Sequence, residues 1–234
     1  MSASIFIKTW LGDLPWLPYC LRSIQKYASG FDEIVVVTDQ SCYDVTLKIV
    51  DDSILLSVDD WSNGYIQQQW IKLIADRFTH SDYILFVDSD CIFHSNFSPA
   101  SFMREDKPVL MKTKYGNLGG AEVWKGITEE FVGFEVNYEY MRRLPWMYKA
   151  SSLSNFRNSY PHTEQHLKSL ASRSFSEFNA LGAYIDKYEN DQYYITDTEV
   201  WMPESVGKQY WSWGGITPAI KTEIDNYLKV GAIC

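Results

Sequence analysis

"DYILFVDSDCIF", residues 82–93, decides how this chain folds. Tyr83 to Val87 form an apolar run that ends in Asp88-Ser89-Asp90, and Cys91-Ile92-Phe93 turns apolar again. A strand with a continuous apolar run is covered on both faces, as in a parallel sheet packed between helices. In open sheets of that kind, ligands bind in the crevice beyond the carboxyl ends of the strands. On an extended chain Asp88 and Asp90 project to one side, with Cα atoms roughly 6.5 Å apart. Carboxylates that close repel, and partial burial penalises both charges. A hard divalent ion such as Mg2+ or Mn2+ relieves this, because it takes one or two carboxylates and completes its shell with substrate phosphates. The plainer reading is a pair of cap or turn aspartates at a strand end.

The flanking segments continue the pattern. "SIFIKTW" (4–10) reads as a first strand, and a helix follows over 15–28 with Leu17, Leu21, Ile24 and Tyr27 on one face. "DEIVVVTD" (32–39) is a second strand and "SILLSV" (53–58) a third. An amphipathic helix is expected over 64–78, with Ile66, Trp70, Leu73, Ile74 and Phe78 recurring at three and four. The opening segment is the fourth strand, and "KPVLMKTKY" (107–115) the fifth. Alternating strands and helices predict an α/β domain with a mostly parallel sheet flanked by helices. Beyond residue 116 helices are expected over 129–143, 161–170 and 174–188, then a turn-rich aromatic tail over 193–213. No repeat, low-complexity tract or Pro/Gly/Ser linker divides the chain, so residues 1–234 read as one domain.

Composition narrows the function classes. Hydrophobic residues are 46 % and charged ones 22 %, the balance of a globular protein. Nine Trp and sixteen Tyr are core material first, and stacking surface for sugars or bases second. "MSASIFIKTW" lacks a basic start followed by a long apolar stretch, so no signal peptide is expected. No apolar run approaches the roughly 20 residues that span a bilayer. Cys20, Cys42, Cys91 and Cys234 show no metal spacing and are expected to be reduced, which points to the cytoplasm.

A net charge of −9 argues against unaided binding to nucleic acid or anionic membrane. Residues 142–173 differ. There Arg142, Arg143, Lys149, Arg157, Lys168 and Arg173 face only Glu164, and Trp146, Tyr148, Phe156 and Tyr160 are interleaved. The stretch is either a solvated basic face or a platform for a phosphate-bearing acceptor, cations on its backbone and aromatics on its rings.

Asp-x-Asp at the end of an apolar strand resembles the metal-binding signature of nucleotide-sugar-dependent glycosyltransferases of the GT-A fold. Two further stretches strengthen the resemblance: Gln68-Gln69-x-x-Lys72-Leu73 before it, and Ser176-Glu177-Phe178-x-x-x-Gly182 after it. Together, over roughly residues 4–188, they are similar to a family of bacterial and phage glycosyltransferases, hexosyl- or pentosyltransferases. The resemblance implies a Mn2+ or Mg2+ cofactor held by Asp90 and Asp88, with Asp88 serving the metal or the ribose of a donor such as a UDP-sugar. It implies Lys8 and Thr9 flanking the base, Asp39 at the nucleoside, and Gln69 and Lys72 under the diphosphate or bracing the Asp-x-Asp loop. Residues 1–115 would then hold the donor and 116–234 the acceptor. That acceptor would be a glycan or lipid-linked precursor, or DNA carrying hydroxymethylated bases.

Sugar transfer leaves negative charge on a departing diphosphate, which a cation neutralises, and it needs a base for the acceptor hydroxyl. Glu177 is the candidate base. Its rival reading is structural, because Ser174-x-x-Glu177 fits a capping box. Asp186 is a weaker candidate base. His162 and His166 lack the Glu position of a zinc-protease helix and read as surface residues, although His162 could lend a third metal ligand. Three other functions compete. An aspartyl-nucleophile phosphohydrolase wants its Asp-x-Asp near the amino terminus, and a sugar nucleotidyltransferase wants a Gly-rich loop after the first strand. A non-catalytic nucleotide-sugar binder would bind the donor without releasing nucleotide.

Overall fold

The structure, a computed structural model, describes residues 1–118, 121–141, 145–170, 175–197 and 206–229. Its strands are β1 (Ala3–Lys8), β2 (Glu33–Asp39), β3 (Ile54–Val58), β4 (Tyr83–Phe86), β5 (Cys91–Phe93), β6 (Met103–Arg104), β7 (Lys107–Lys114), β8 (Tyr138–Glu139), β9 (Trp146–Lys149), β10 (Tyr194–Asp197) and β11 (Gly207–Gln209). Its helices are α1 (Leu17–Tyr27), α2 (Tyr43–Thr46), α3 (Gly64–Leu73), α4 (Lys125–Val132), α5 (Ala150–Ser159), α6 (Thr163–Ser169), α7 (Glu177–Tyr188) and α8 (Pro218–Leu228).

The main sheet runs β3-β2-β1-β4-β9. Its first four strands are parallel, and β9 closes the edge antiparallel to β4. All six residues of β1 are buried, as expected for a central strand covered on both faces. The chain moves from β1 outward to β3, then returns to place β4 on the other side of β1. This reversal is a topological switch point, and in sheets of this kind ligands bind beyond the carboxyl ends of the strands that flank it, here β1 and β4. Those ends carry Lys8-Thr9 and Val87-Asp88. A smaller sheet joins β10, β7 and β6, with β8 paired to β7. A shallow hollow of about 320 Å3 beside Gly30, Glu33 and Asp52 lies at the opposite, amino end of β2.

Several elements differ from the sequence expectation. The stretch 82–93 is two strands, because after Val87, whose N–H still bonds Phe6 O of β1, Asp88–Asp90 leave the sheet and Cys91 N–H closes a turn on Asp88 O at 2.9 Å. Asp and Ser suit the early positions of such a turn. β5 then pairs with β11 in a separate ribbon. α1 begins at Leu17, after a 3-10 turn over Leu11–Asp13. α3 stops at Leu73, where the Arg157 guanidinium takes the Leu73 carbonyl and pairs with Asp76. α4 ends at Val132 because Gly133 adopts φ 75, a left-handed stop that Glu129 and Val136 then seal. The helix expected over 129–143 is therefore present only over 129–132, and its remaining described residues, 133–141, are not helical. β9, α5 and α8 carried no expectation.

Aromatic packing sets the position of α7. Phe178 lies 5.6 Å from Phe86 of β4 and stacks 5.8 Å from Tyr148 of β9, ring centre to ring centre. Each such buried ring contributes about 1.5–3 kcal/mol by leaving water. Gly182 sits against Tyr140, whose Cβ would lie 2.4 Å from any Cβ added there. The glycine lets α7 approach closely, and that approach brings its first residue, Glu177, to the switch point.

Candidate functional site

At the end of β1, Lys8 is buried and donates to Asp39 Oδ1 at 2.6 Å and to its neighbour's carbonyl, Thr9 O, at 2.7 Å. Burial lowers the Lys8 pKa, and Asp39 opposes that shift. Thr9 Oγ1 is buried with no hydrogen-bond partner. Lys8, Thr9 and Asp39 therefore form one contact across the ends of β1 and β2.

The turn after β4 presents the two carboxylates. Asp88 Oδ1 accepts from Lys72 Nζ at 2.8 Å. Asp90 Oδ2 accepts from the Ser212 backbone N–H at 2.7 Å. The Gln209 amide reaches toward both, 3.5 Å from Asp88 Oδ2 and 3.4 Å from Asp90 Oδ1. Their nearness thus survives the loss of the extended geometry. Burial, then repulsion by Asp88, pushes the Asp90 carboxyl up to about 7, against the Ser212 bond. Lys72 covers one oxygen of Asp88, but among the described residues the neutral Gln209 amide is what spans the pair, so hard oxygen donors are left with no cation shared between them. The Asp88 side chain stays 22 % exposed. This is a donor set that fits a divalent cation whose other ligands come from phosphate.

Behind the turn, Lys72 joins three stretches that lie far apart in the chain. Its ammonium is 2.8 Å from Asp88 and 3.3 Å from Glu177 Oε1, and 5.0 Å from the centre of the Phe178 ring. Gln69 Oε1 accepts the Glu177 backbone N–H at 3.1 Å. Burial works against the Lys72 charge, but Asp88 and Glu177 outweigh it and hold the ammonium above its ordinary value. Glu177 is 2 % exposed. Burial raises its carboxyl to about 7, Lys72 pulling down and Asp88 pushing up. The cap of α7 is Ser176, whose Oγ accepts from Asn179 N–H. Glu177 is therefore the first helical residue and does not close the expected box. Ser174 lies outside the described residues.

Three participants carried no sequence signal. Asp13, in the 3-10 turn after β1, has a carboxyl raised by burial and by Asp88, opposed by the side chains of Ser212 and Trp10. Gln209 and Ser212 arrive from the tail, held by the β5–β11 ribbon and by Tyr210 N–H on Asp90 O at 3.1 Å. Between them Trp211 takes φ 59, a left-handed conformation costing of order 1–3 kcal/mol for such a residue. Fixed spacing marks none of the three, because a fold-back of distant chain brings them in.

Other candidates go elsewhere. Asp186, about two and a half turns along α7 from Glu177, accepts from Lys112 and Tyr140 at 2.7 Å each. His162 is the residue before α6, and the His166 ring packs 5.3 Å from Phe131. Among the described residues no group of three or more His, Cys, Asp or Glu is placed to hold a metal, so His162 does not complete a set with Asp88 and Asp90. In the basic stretch Trp146, Tyr148 and Phe156 are buried in the core, which removes them as stacking surfaces. Arg157 pairs with Asp76, Lys168 with Glu164, and Lys149 bonds Gln192. Arg142, Arg143 and Arg173 lie outside the described residues. No described helix is long and apolar enough to cross a membrane.

No curated protein matches the chain. The family model described as Glycosyl transferase family 2 matches residues 4–160, which includes β1 to β4, Lys72 and both carboxylates of the turn and stops short of Glu177. With its mainly parallel sheet flanked by helices, the chain belongs to glycosyl transferase family 2 and is a GT-A glycosyltransferase.

Proposed function

We propose that this chain moves a hexose or pentose from a nucleotide-diphosphate sugar, such as a UDP-sugar, to an acceptor hydroxyl, with Mn2+ or Mg2+ held by Asp88 and Asp90. The observation that carries the reading is the convergence of Gln69, Lys72, Asp88 and Glu177, from three separate stretches, at the switch point of the sheet. The same three stretches support a place among the bacterial and phage members of the family.

The bound cation supplies positive charge to the departing diphosphate. The chain's own residues do the rest. Lys8 and Thr9 flank the base, and Asp39 meets the nucleoside. Lys72, braced through Gln69 and α7, holds the Asp88 carboxylate in place. The bond from the sugar's anomeric carbon to the diphosphate oxygen breaks, its electron pair leaving with the nucleotide. A bond to the acceptor oxygen forms, and the hydroxyl proton passes to a carboxylate. Glu177, raised to about 7, suits that transfer near neutral pH. Its burial and its ion pair favour a second use, holding Lys72 against Asp88. Glu177→Gln separates the two: loss of a base removes the rise of rate with pH through about 7, while loss of a brace lowers affinity for donor.

Residues 1–115 are assigned to the donor and 116–234 to the acceptor. A glycan or lipid-linked acceptor and hydroxymethylated DNA both offer the required hydroxyl. The free, buried Cys20, Cys42 and Cys91 support a reducing compartment, the cytoplasm. The test is a panel of UDP-, GDP- and other nucleotide sugars with Mn2+, scored for nucleotide release. Wild type is expected to release nucleotide and folded Asp90→Ala to release none. Equal release by both would overturn the proposal.

A further inference from the structure

We infer that the exposed tryptophans beside the carboxylate turn form a stacking platform for the sugar rings of a neutral glycan acceptor, an inference that rests on the glycosyl-transfer reading above. Trp10, Trp211 and Trp213 are 52 %, 60 % and 87 % exposed. A single exposed apolar side chain needs no account, but a group around a site does. The Asp13 carboxyl faces the side chains of both Trp10 and Ser212, so one acid joins the loop after β1 to the loop after β11. Ser212, with a tryptophan on each side, is clamped by Asp90. The loops that carry the three indoles therefore stand next to the turn that presents Asp88 and Asp90. Trp211 holds its place in a backbone conformation that bulky residues avoid, which marks a position maintained against local preference.

Charge selects the occupant. Asp13, Asp88 and Asp90 adjoin these indoles in a chain of net charge −9. A polyanion or an anionic lipid surface meets like charge there. Of the aromatics of the basic stretch Trp146, Tyr148 and Phe156 are buried, and among its described cations Arg157 and Lys168 are paired with acids while Lys149 bonds Gln192. A neutral sugar ring suits the rim, because its C–H face stacks on indole while its hydroxyls donate to carboxylates. An oligosaccharide on this platform brings its hydroxyl to the turn from the side of the tail.

The experiment uses the full chain with cellotetraose, maltotetraose and chitotetraose, a hydroxymethylcytosine oligonucleotide, and phosphatidylcholine and phosphatidylglycerol vesicles. Binding is read by calorimetry and intrinsic fluorescence. At least one tetrasaccharide is expected to bind, with no dependence on salt. Trp213→Ala should weaken that binding about tenfold, Trp213→Tyr much less, with thermal melting unchanged because the side chain is almost fully exposed. No tetrasaccharide binding, undiminished binding by Trp213→Ala, or binding of the oligonucleotide or vesicles alone would each overturn the inference. Nucleotide release from the donor panel is scored in parallel. Release without oligosaccharide binding sinks this inference alone, and absence of release sinks the transferase reading beneath it.

Discussion

Lys72 Nζ lies 2.8 Å from Asp88 Oδ1, tying the last turn of α3 to the turn that follows β4. The same ammonium serves Glu177, so one cation stands between a buried acid and a partly exposed one. Burial, with Lys72 opposing it and Asp88 adding repulsion, is the physical reason a proton stays on Glu177 up to about 7.

Replacing that cation should strand both acids. Lys72→Met is expected to lower unfolding free energy by about 3 kcal/mol, the scale for breaking a buried ion pair. Urea denaturation measures it. Adding Glu177→Gln to the same chain should recover part of the loss, since one of the stranded acids is then neutral. A loss below about 1 kcal/mol would remove Lys72 as the keystone of the site.

Asp90→Asn keeps an oxygen for the Ser212 N–H and removes the charge that burial penalises. Melting temperature at pH 8 should hold or rise, while stabilisation by Mn2+ disappears and nucleotide release falls about 100-fold or more. Differential scanning fluorimetry with and without Mn2+ reads the first two. A variant still stabilised by Mn2+ would show that Asp90 does not bind the ion.

Stability should depend on pH in a direction opposite to that of most acids. Asp90 and Glu177 are both raised to about 7 in the folded chain, so the folded state holds protons that the unfolded state has released. Their contribution is complete below about pH 4 and is lost as pH rises through about 7. The metal-free chain should therefore melt lower at pH 8 than at pH 5.5, and Asp90→Asn should reduce that difference. Mn2+ should bind more tightly at pH 8, where it no longer competes with the proton. Melting that rises from pH 5.5 to 8 in the metal-free chain would contradict this.

Gly182 should tolerate no side chain. Gly182→Ala places a methyl 2.4 Å from the Tyr140 Cβ, and overpacking of this kind costs about 1–3 kcal/mol. Because α7 then shifts, nucleotide release should fall as well, although Gly182 is not part of the site. Unchanged melting and activity would mean that the helix has room the packing does not show.

The donor side was legible because its signals are local. An apolar run ending in acids specifies a buried strand delivering charge to a sheet edge, and the first four expected strands form the parallel part of the main sheet, while the fifth, 107–115, lies in the smaller one. Gln69, Lys72 and Glu177 were marked by the family resemblance of their motifs, and the structure brings them together. The aromatic reading of 142–173 was not met, because interleaved rings look alike in sequence whether they face solvent or core. Here Tyr148 packs against Phe178, and burying that ring outweighs leaving it for a ligand. The helix expected over 129–143 was cut off after Val132 by one residue, Gly133, whose left-handed stop outweighs apolar periodicity.

Taken by itself, the chain's order of residues determined the strand–helix alternation, the acid pair at the end of β4 and the chemistry such a pair requires. These depend on near neighbours, whose spacing along the backbone sets which side they face. Tertiary structure alone decided that Asp88 and Asp90 sit in a turn, that Ser176 caps α7, and that Asp13, Gln209 and Ser212 close around the site. The last of these is set by contacts between segments more than a hundred residues apart, where packing and charge balance overrule local preference.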